Sequence, residues 1–346
     1  MIELTAPEEL AAIQDFLLQA YQVKPGAAFV EAALLHWKYF EPRPDWDGPR
    51  SYALRQHGTI VAHGCVVPSQ FRGGSREVRG IRVIDWAGDR RFPGGGVLMM
   101  REFNQWGDIV MAVGGSPDTL RVLPKVGFEH RGNSAVYARV VRPWRQFRTD
   151  PFPRGWKAPL RLARNVMWAT SSRSATVAGG WSLQRVERFD HSVTPVLEYV
   201  PPETGQPVRS PDLLNYMLRC PTVAMRGFLI LEKAAVRGYC LICQVGGQAR
   251  LAELRLACND AEAWRTGYSL AARAAAADPA TCEILAVTAI EAAARALEAN
   301  GFRFRRNDPI LIRDPRGRLE GMPPLNINML EGDEAYVFNA DYPYET

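Results

Sequence analysis

Apolar residues near the start of the chain recur at helical spacing, and further along the period shortens to the alternation typical of strands. The spacing predicts helices over residues 3–22 and 27–40. The first begins at Thr5 with a T-x-x-E capping box that contains a proline at an early position. Glycine turns then separate three alternating runs, SYALRQ, TIVAHGCVVP and REVRGIRVIDWAG. This order predicts a helix pair followed by an antiparallel meander of three strands.

The rest of the first half alternates helical and strand patterns. VLMMREFNQWG is typical of a helix, DIVMAVGG of a buried strand, SPDTLRVLPKVGF of a short helix and NSAVYARVVRP of a closing strand. Ser116 followed by Pro117 fits an N-cap and the first position of a helix. One complete α/β unit is therefore predicted to end near Pro143.

The second half repeats this order of elements. The patterns predict a helix (LLNYMLRC), three strands (GFLILEK, RGYCLICQVGG and ARLAELRLAC), a helix over 260–277, a strand (TCEILAVT), a helix (AIEAAARALEANGF) and a closing strand (FRFRRNDPILI). Similar sequences, KVGF ending at Phe128 and ANGF ending at Phe302, precede the two closing strands. The repeat indicates an internal duplication.

Composition fits two packed domains. The chain has 346 residues, of which 47% are hydrophobic and 23% are charged, as in an ordinary globular protein. We expect one domain over 1–143, a linker over 144–181 and a second domain over 182–346. No apolar stretch approaches the ~20 residues that cross a bilayer. Since the acidic start is unlike a signal peptide, we expect a cytoplasmic location.

The predicted linker is rich in Arg, Lys and Trp, and Asp150 is the single acid over residues 143–180. Its sequence APLRLARNVMWA predicts a short basic amphipathic helix. Two interpretations stay open. The segment is either a connector whose arginines are solvated or pair with the second half, or a helix that docks on an anionic membrane surface or an acidic polymer.

The net charge, the cysteines and the histidines limit the kinds of ligand that the sequence predicts. The net charge of +5 is too mild to predict nucleic-acid binding, but it suits a polyanionic ligand. Cys240 and Cys243 have the spacing of a redox or zinc pair, yet they lie in an apolar strand pattern that points them to opposite faces. We therefore expect structural thiols. The histidines lack partners at ligand spacing, and no metal site is predicted.

Residues 83–100 run from a strand through a glycine-rich turn into a helix, and residues 91–96 of this turn read R-F-P-G-G-G. Backbone N–H groups that glycines leave accessible, together with a helix N-terminus, form a positive concavity suited to pyrophosphate. A tight strand-to-helix turn without a ligand is the alternative. In this order of strands and helices, we favour phosphate binding.

The turn resembles the acyl-CoA loop of the GNAT acyltransferase superfamily, Q/R-x-x-G-x-G/A after a strand. Arg91, Gly94 and Gly96 occupy its fixed positions. The Gly127-Phe128 pair lies where such domains carry Gly-Phe after their last helix. In addition, the sequence HWKYF over 36–40 resembles the W-K-Y segment of tandem GNAT-like proteins found near bacterial exopolysaccharide genes. The resemblance covers the first half by motif and the second half by order of elements.

The resemblance implies an α/β (α+β) protein of two GNAT-like domains, each a mixed, mainly antiparallel sheet flanked by helices. It also implies acetyl-CoA or another acyl-CoA as co-substrate. The first half would bind it through Arg91, Phe92, Gly94, Gly95, Gly96 and Val97. Pro93 departs from this picture, because it has no N–H to donate to a phosphate. In the second half the corresponding turn carries Asp260 and Glu262, which repel phosphate, so that half is predicted to be degenerate.

Acyl transfer in this superfamily needs a base for the acceptor and an acid for the leaving thiolate. Family members often supply the acid from a Tyr five residues before the Phe of the Gly-Phe pair, where this sequence has Leu123 and Leu297. The candidate bases are Asp85 on the strand that leads into the loop, His63 in the preceding strand, and Glu253, a strand acid of the second half. Each also has a structural interpretation: a carboxylate paired with an arginine, or a hydrogen-bonded core histidine.

The predicted function is transfer of an acetyl or other acyl group from acyl-CoA to an amine or hydroxyl of a small molecule, a sugar or a polysaccharide precursor. A non-catalytic module that binds acyl-CoA or a polymer is the rival from another class, and the missing tyrosines favour it. A peptidoglycan-bridge aminoacyl transferase, which uses aminoacyl-tRNA, is a further alternative. The long helical arm of those enzymes is not evident in the sequence.

Overall fold

The computed structural model describes residues 2–151, 156–172 and 174–346. The strands in this part of the chain are β1 (Ile2–Leu4), β2 (Ser51–Gln56), β3 (Thr59–Gly73), β4 (Arg76–Gly88), β5 (Ile109–Val113), β6 (Glu129–Val140), β7 (Trp181–Val186), β8 (Gln206–Pro207), β9 (Ala224–Glu232), β10 (Ala235–Val245), β11 (Gln248–Leu256), β12 (Glu283–Thr288) and β13 (Arg303–Arg313). The α-helices are α1 (Leu10–Tyr21), α2 (Ala32–Tyr39), α3 (Gly95–Phe103), α4 (Pro117–Val122), α5 (Pro143–Thr149), α6 (Lys157–Ser171), α7 (Thr194–Glu198), α8 (Pro211–Leu218), α9 (Ala261–Ala277) and α10 (Glu291–Ala299). The predicted α/β class is confirmed. None of these helices has the length and apolar character needed to cross a membrane.

These elements form two compact units. Unit 1 comprises Met1–Asn133, Gly205–Val208 and Asp308–Pro324, and unit 2 comprises Ser134–Thr204, Arg209–Asn307 and Leu325–Thr346. The linker expected over 144–181 lies within unit 2 and contains helices α5 and α6. A repeat in the sequence need not have the same bounds as a compact unit, because a strand that follows one repeat can pair with strands of the other unit. We keep 1–143 and 182–346 as a proposal for the two repeats.

In unit 1 the sheet has the order β1-β2-β3-β4-β5-β13, with β8 alongside β3. The predicted meander of β2, β3 and β4 is confirmed as antiparallel, and β4 and β5 pair in parallel. Helices α1 and α2 pack on one face through a core that includes Ile13, Leu17 and Leu35. Helix α3 packs on the opposite face through Met99 and Phe103. The unit is thus a sheet covered by helices on both faces.

In unit 2 the sheet has the order β7-β9-β10-β11-β12-β6. Helices α9 and α10 supply one apolar layer, whose buried side chains include Trp264, Tyr268 and Leu297. Cys240 and Cys243 are free and buried in β10, and burial raises the pKa of both thiols. Their contribution is therefore to packing, as the strand pattern predicts.

The closing strands differ from the sequence-based expectation. In unit 1, β5 pairs with the end of β13, from Val113 opposite Ile310 to Val110 opposite Arg313. In unit 2, β12 pairs with the end of β6, with Glu283 opposite Val140. The expectation that each half supplies its own closing strand is wrong. Alternation of apolar residues defines a strand and its buried face, but it does not identify the neighbouring strand.

The start of the first helix is also different. Residues Ile2–Leu4 form β1 rather than helical turns, and a 3-10 turn over Pro7–Glu9 precedes α1. The capping carboxylate is Glu9, which accepts from the Ala6 N–H at 2.8 Å. Thr5, predicted as the cap, instead donates its hydroxyl to Ser51 Oγ at 2.7 Å. The predicted cap at Ser116 is confirmed, because its Oγ accepts from the Thr119 N–H.

Candidate functional site

The candidate site of unit 1 begins where two parallel strands separate. Pairing between β4 and β5 runs from Gly80 opposite Ile109 to Arg82 opposite Met111. Beyond this point β4 continues to Gly88 and β5 to Val113. The strands therefore diverge and leave one edge of β4 available to another extended group. An extended amide-containing ligand binds such an edge through main-chain hydrogen bonds.

A β-bulge bends β4 within this diverging segment. His63 lies opposite Ala87 and Cys65 opposite Ile84, so Gly64 of β3 faces both Asp85 and Trp86. Asp85 has a φ of 50°, in the left-handed region. A bulge of this kind re-aims the side chains of a strand and often lies beside a functional site. Here it turns Asp85 towards helix α2.

Asp85 is buried and holds two side chains of α2. Lys38 Nζ lies 2.6 Å from Asp85 Oδ2, and the Tyr39 hydroxyl donates to the same oxygen at 2.8 Å. Burial, together with the nearby Asp85 carboxylate, raises the pKa of Tyr39, which keeps its hydroxyl protonated as a donor. The cation beside Asp85 comes from the HWKYF segment.

His63 lies beneath the bulge and holds its backbone. Its Nδ1 is 3.2 Å from the Asp85 carbonyl, which can only accept, so Nδ1 carries the proton. Its Nε2, 2.9 Å from Ser51 Oγ, then accepts from that hydroxyl. Burial lowers the pKa of His63 from 6.5 to about 4. At neutral pH the ring is uncharged.

The glycine loop follows directly after β4. All six residues predicted to bind the cofactor lie in the loop or in the first turn of α3: Arg91, Phe92, Gly94, Gly95, Gly96 and Val97. Gly94 is the N-cap of α3 with a φ of 98°, and a Cβ added there would meet open space. Glycine is thus needed for the backbone conformation. Within the described residues, no side chain caps α3. The Gly95 N–H donates to the Phe92 carbonyl at 3.2 Å. The N–H groups of Gly96 and Val97 at the uncapped start of the helix are the candidate anion donors.

Two contacts fix this loop. The Trp86 indole Nε1 donates to the Gly96 carbonyl at 2.9 Å, tying α3 to the bulge. The Asp89 carboxylate accepts from the Arg91 backbone N–H at 2.8 Å and pairs with its guanidinium at 2.6 Å. These hydrogen bonds from Arg91 lower the pKa of Asp89. A cavity of about 170 Å³ lies between α1 and residues 89–91. The loop is therefore ordered by its own side chains.

Unit 2 has a comparable strand divergence but a different helix start. Strands β11 and β12 pair only from Gln248 opposite Glu283 to Leu251 opposite Ala286, although β11 continues to Leu256. The Asp260 carboxylate caps α9 by accepting from the Ala263 N–H at 2.7 Å. A fixed negative charge thus occupies the position that an anionic ligand would take.

Glu253, the third candidate base, is buried in β11 of unit 2. Its carboxylate accepts from Arg209 Nε at 3.0 Å and from the Tyr239 hydroxyl at 2.7 Å. Arg209 also pairs with Glu331. A cavity of only about 10 Å³ borders Glu253. This arrangement is a closed ion-pair cluster with little room for a ligand.

The sequence did not identify the partners that surround these candidates. The HWKYF segment includes Lys38 and Tyr39, but the sequence gives no sign of their contact with Asp85 or of the bond between Ser51 and His63. Tyr21, the last residue of α1, donates its hydroxyl to the Trp86 carbonyl at 3.1 Å. The adjacent Lys38 and Tyr39, on an otherwise apolar helix face, are the sequence feature that could have indicated these contacts. Leu123, at the position of the family's acid, is fully buried in the core.

Comparison with solved structures identifies the fold. A GCN5-related N-acetyltransferase from Anabaena variabilis aligns with a TM-score of 0.60 and 14% identity, covering 91% of this chain and 72% of its own. A tandem GNAT protein from the clavulanic acid biosynthesis pathway aligns with a TM-score of 0.55 and 14% identity, covering 90% of this chain and 97% of its own. N-myristoyltransferase of Saccharomyces cerevisiae with bound myristoyl-CoA and inhibitors aligns with a TM-score of 0.59 and 11% identity, covering 90% and 79%.

No protein-family model and no curated protein matches the sequence. At these low identities, similarity to solved structures concerns the fold. Within unit 1, the divergent parallel strands, the bulge and the strand-loop-helix turn follow one another along the chain. The chain has the GNAT fold, with GNAT acyltransferases, including a tandem GNAT protein, among its structural neighbours.

Proposed function

We propose that unit 1 binds an acyl-CoA and that the protein transfers its acyl group to an amine or hydroxyl acceptor. The observation that carries this proposal is the contrast between two helix starts. Helix α3 begins at Gly94 with no side-chain cap among the described residues, whereas the Asp260 carboxylate caps α9. An open helix N-terminus at the end of a diverging strand suits a ligand that combines a pyrophosphate with an extended arm.

In this proposal the N–H groups of Gly94, Gly96 and Val97 bind the pyrophosphate, while the Gly95 N–H keeps its bond to the Phe92 carbonyl. The amides of the pantetheine arm then pair with β4 beyond Arg82, where β5 no longer pairs with it, as an added strand. This path brings the thioester towards the bulge at Asp85. Pro93 donates no hydrogen bond, so the glycines and Val97 supply the phosphate contacts.

The proposed reaction is attack of the acceptor nitrogen or oxygen on the thioester carbonyl. The C–S bond breaks as the new bond forms, the acceptor loses a proton, and the CoA thiolate gains one. Asp85 is the proposed proton acceptor because it lies on the strand that leads into the loop. His63 and Glu253 are weaker proposals, since His63 Nε2 accepts from Ser51 and Glu253 lies in unit 2, where Asp260 caps the helix start.

The proposal is tested by calorimetric titration of acetyl-CoA and CoA into matched variants. Gly94→Asp places a carboxylate at the start of α3, as Asp260 does in α9. Gly94→Asn has the same size and the same backbone strain without the charge. We expect Gly94→Asp to bind at least about tenfold more weakly than Gly94→Asn. Absence of binding to folded wild type would overturn the proposal.

A non-catalytic acyl-CoA or polymer-binding module is the second candidate. It is favoured by the buried leucines at both acid positions, Leu123 and Leu297, and by the ion pair of Asp85. Acceptor-stimulated release of CoA from acetyl-CoA distinguishes the two. Amino sugars and polysaccharide precursors are the first acceptors to test, given the HWKYF segment; this acceptor class and a cytoplasmic location stay proposals. If the protein binds acetyl-CoA but no acceptor stimulates the release of CoA, the non-catalytic module is favoured.

A further inference from the structure

Helix α6 of unit 2 is oriented with its apolar side outward. Trp156, which precedes the helix, is 76% exposed, Leu160 is 61% exposed and Met167 is 58% exposed. Val166 is exposed as well. These positions follow helical spacing and lie along one stripe of the helix. An ordinary surface helix presents such a stripe to the core.

The opposite side of α6 is polar and fixed to its own unit. Asn165 is buried and its amide donates to Gln146 Oε1 at 3.1 Å. The Trp168 ring contacts the Arg164, Arg303 and Arg305 guanidinium groups at 4.5, 5.4 and 5.4 Å. A rotation that buries the apolar stripe would break these contacts. The outward orientation is therefore specified by the structure.

The apolar stripe belongs to a larger cluster. Among the described residues, ten large hydrophobic side chains are exposed, and Trp144, Trp156, Leu160, Val166 and Met167 supply half of them from α5, α6 and the residue before α6. Half of the exposed large hydrophobic side chains among the described residues thus lie within residues 144–167. A clustered apolar patch of this kind marks an interaction surface.

The charges around the stripe select its partner. Residues 156–172 contain no acid, and Lys157 of α6 and Arg145 and Arg148 of α5 are exposed, whereas Arg161 pairs with Asp150 at 2.6 Å. Burial, together with repulsion from Arg305 and Arg161, lowers the pKa of Arg164. A second copy of the chain docked on this stripe would bring like charges together. An anionic surface would relieve the repulsion.

We propose that α6 and the adjoining α5 lie in the headgroup region of an anionic lipid bilayer. The apolar stripe enters the boundary with the acyl chains, and the exposed Lys157, Arg145 and Arg148 contact lipid phosphates. Trp144 and Trp156 suit the same depth, because tryptophan prefers the interface between headgroups and hydrocarbon. None of these residues belongs to the proposed acyl-CoA site in unit 1. Membrane docking can therefore be tested separately from acyl transfer.

The test is sedimentation of the full chain with vesicles of phosphatidylcholine alone or mixed with phosphatidylglycerol. At low salt we expect wild type to pellet with the mixed vesicles and to remain unbound with phosphatidylcholine. High salt should release it, since the phosphate contacts are screened. Leu160→Gln/Met167→Gln removes apolar contact without changing charge, and we expect its vesicle binding to fall about tenfold.

Leu4→Gln is the matched control, because Leu4 is 55% exposed on β1 of unit 1 and should bind as wild type does. Circular dichroism establishes that each variant is folded. The proposal is overturned if wild type stays unbound with anionic vesicles at low salt. It is also overturned if Leu160→Gln/Met167→Gln binds as well as wild type. Self-association that this variant abolishes, without vesicle binding, would assign the stripe to a second copy.

Discussion

The Lys38–Asp85 pair is a buried ion pair, with side chains only 2% and 5% exposed, and its two members depend on each other. Removing one partner leaves an uncompensated charge in the interior. We expect Lys38→Met to destabilise the protein by about 3–5 kcal/mol. In Lys38→Met/Asp85→Asn both charges are gone, and most of the loss should be recovered. Urea unfolding at neutral pH measures the free energy of unfolding of the single and the double variant.

An exposed ion pair in the same unit is the control. Arg121 pairs with Asp118 at 2.6 Å, with side chains 70% and 73% exposed. Arg121→Met should therefore change stability by no more than about 1 kcal/mol. Equal stability of the single and double variants at Lys38 and Asp85 would contradict the coupling. The comparison also shows why Asp85→Asn alone is a poor test of catalysis: it leaves Lys38 buried without its carboxylate.

His63 makes stability depend on pH. Its pKa is lowered from 6.5 to about 4 in the folded protein, so the unfolded chain binds the proton more tightly. The stability that depends on the neutral His63 ring is fully present above about pH 6.5, the pKa of His63 in the unfolded chain. It falls as the pH drops and is lost near pH 4. Its size is about 3 kcal/mol. Because Gln can donate and accept as the neutral ring does, His63→Gln should lose less stability over this range.

Urea unfolding as a function of pH measures this difference. His36→Gln is the control, because His36 is exposed on α2 and contacts solvent in the folded protein. It should retain the pH dependence of wild type. Parallel curves for His63→Gln and wild type would show that another group carries the pH dependence.

At the residue scale the sequence identified Asp85 and His63 as positions to examine, but it did not show what they contact. Asp85 meets a lysine and a tyrosine from a helix far away in sequence. His63 meets a carbonyl that is available only because β4 bulges. Such contacts arise from the three-dimensional arrangement of elements, and no local pattern records them.

At the scale of elements, local patterns predicted most of the secondary structure. The runs SYALRQ and REVRGIRVIDWAG match β2 and β4 in full, and 260–277 matches α9 with its cap at Asp260. The repeated Gly-Phe pairs have a structural explanation, because Gly127 and Gly301 end helical turns with positive φ while the Phe that follows is buried. These features depend on neighbours in sequence, which is why the sequence reveals them.

Elements that depend on distant partners were missed. The two-residue strand β8 exists through its pairing with Phe71 and Arg72 of β3. Strand β1 likewise pairs with β2 after a gap of more than forty residues. Helix α5 was missed because PWRQFRT reads as a linker. The basic helix predicted after it is present as α6, but the sequence did not reveal that its apolar side faces outward.

At the scale of the whole molecule, the chain order does not coincide with the compact units. Unit 1 takes its last strand from residues 308–313, and unit 2 takes one from residues 134–140. A duplication read from the sequence predicts two successive domains. The exchange of closing strands was not predictable, because β6 and β13 have similar alternating patterns and either could close an antiparallel edge.

The exchange predicts how fragments behave. The fragment 1–143 lacks the strand that pairs with β5, and it also loses Leu311 from the core beside α3. Because an unpaired, apolar edge strand promotes aggregation, we expect this fragment to be aggregated or only partly folded. Fusing residues 308–324 to residue 133 through a Gly/Ser linker should restore a cooperative unfolding transition. A fusion that carries the same 308–324 residues in scrambled order should not. If 1–143 alone unfolds cooperatively, its own β6 can replace β13 beside β5, and the exchange is then a preference of the full chain rather than a requirement of unit 1.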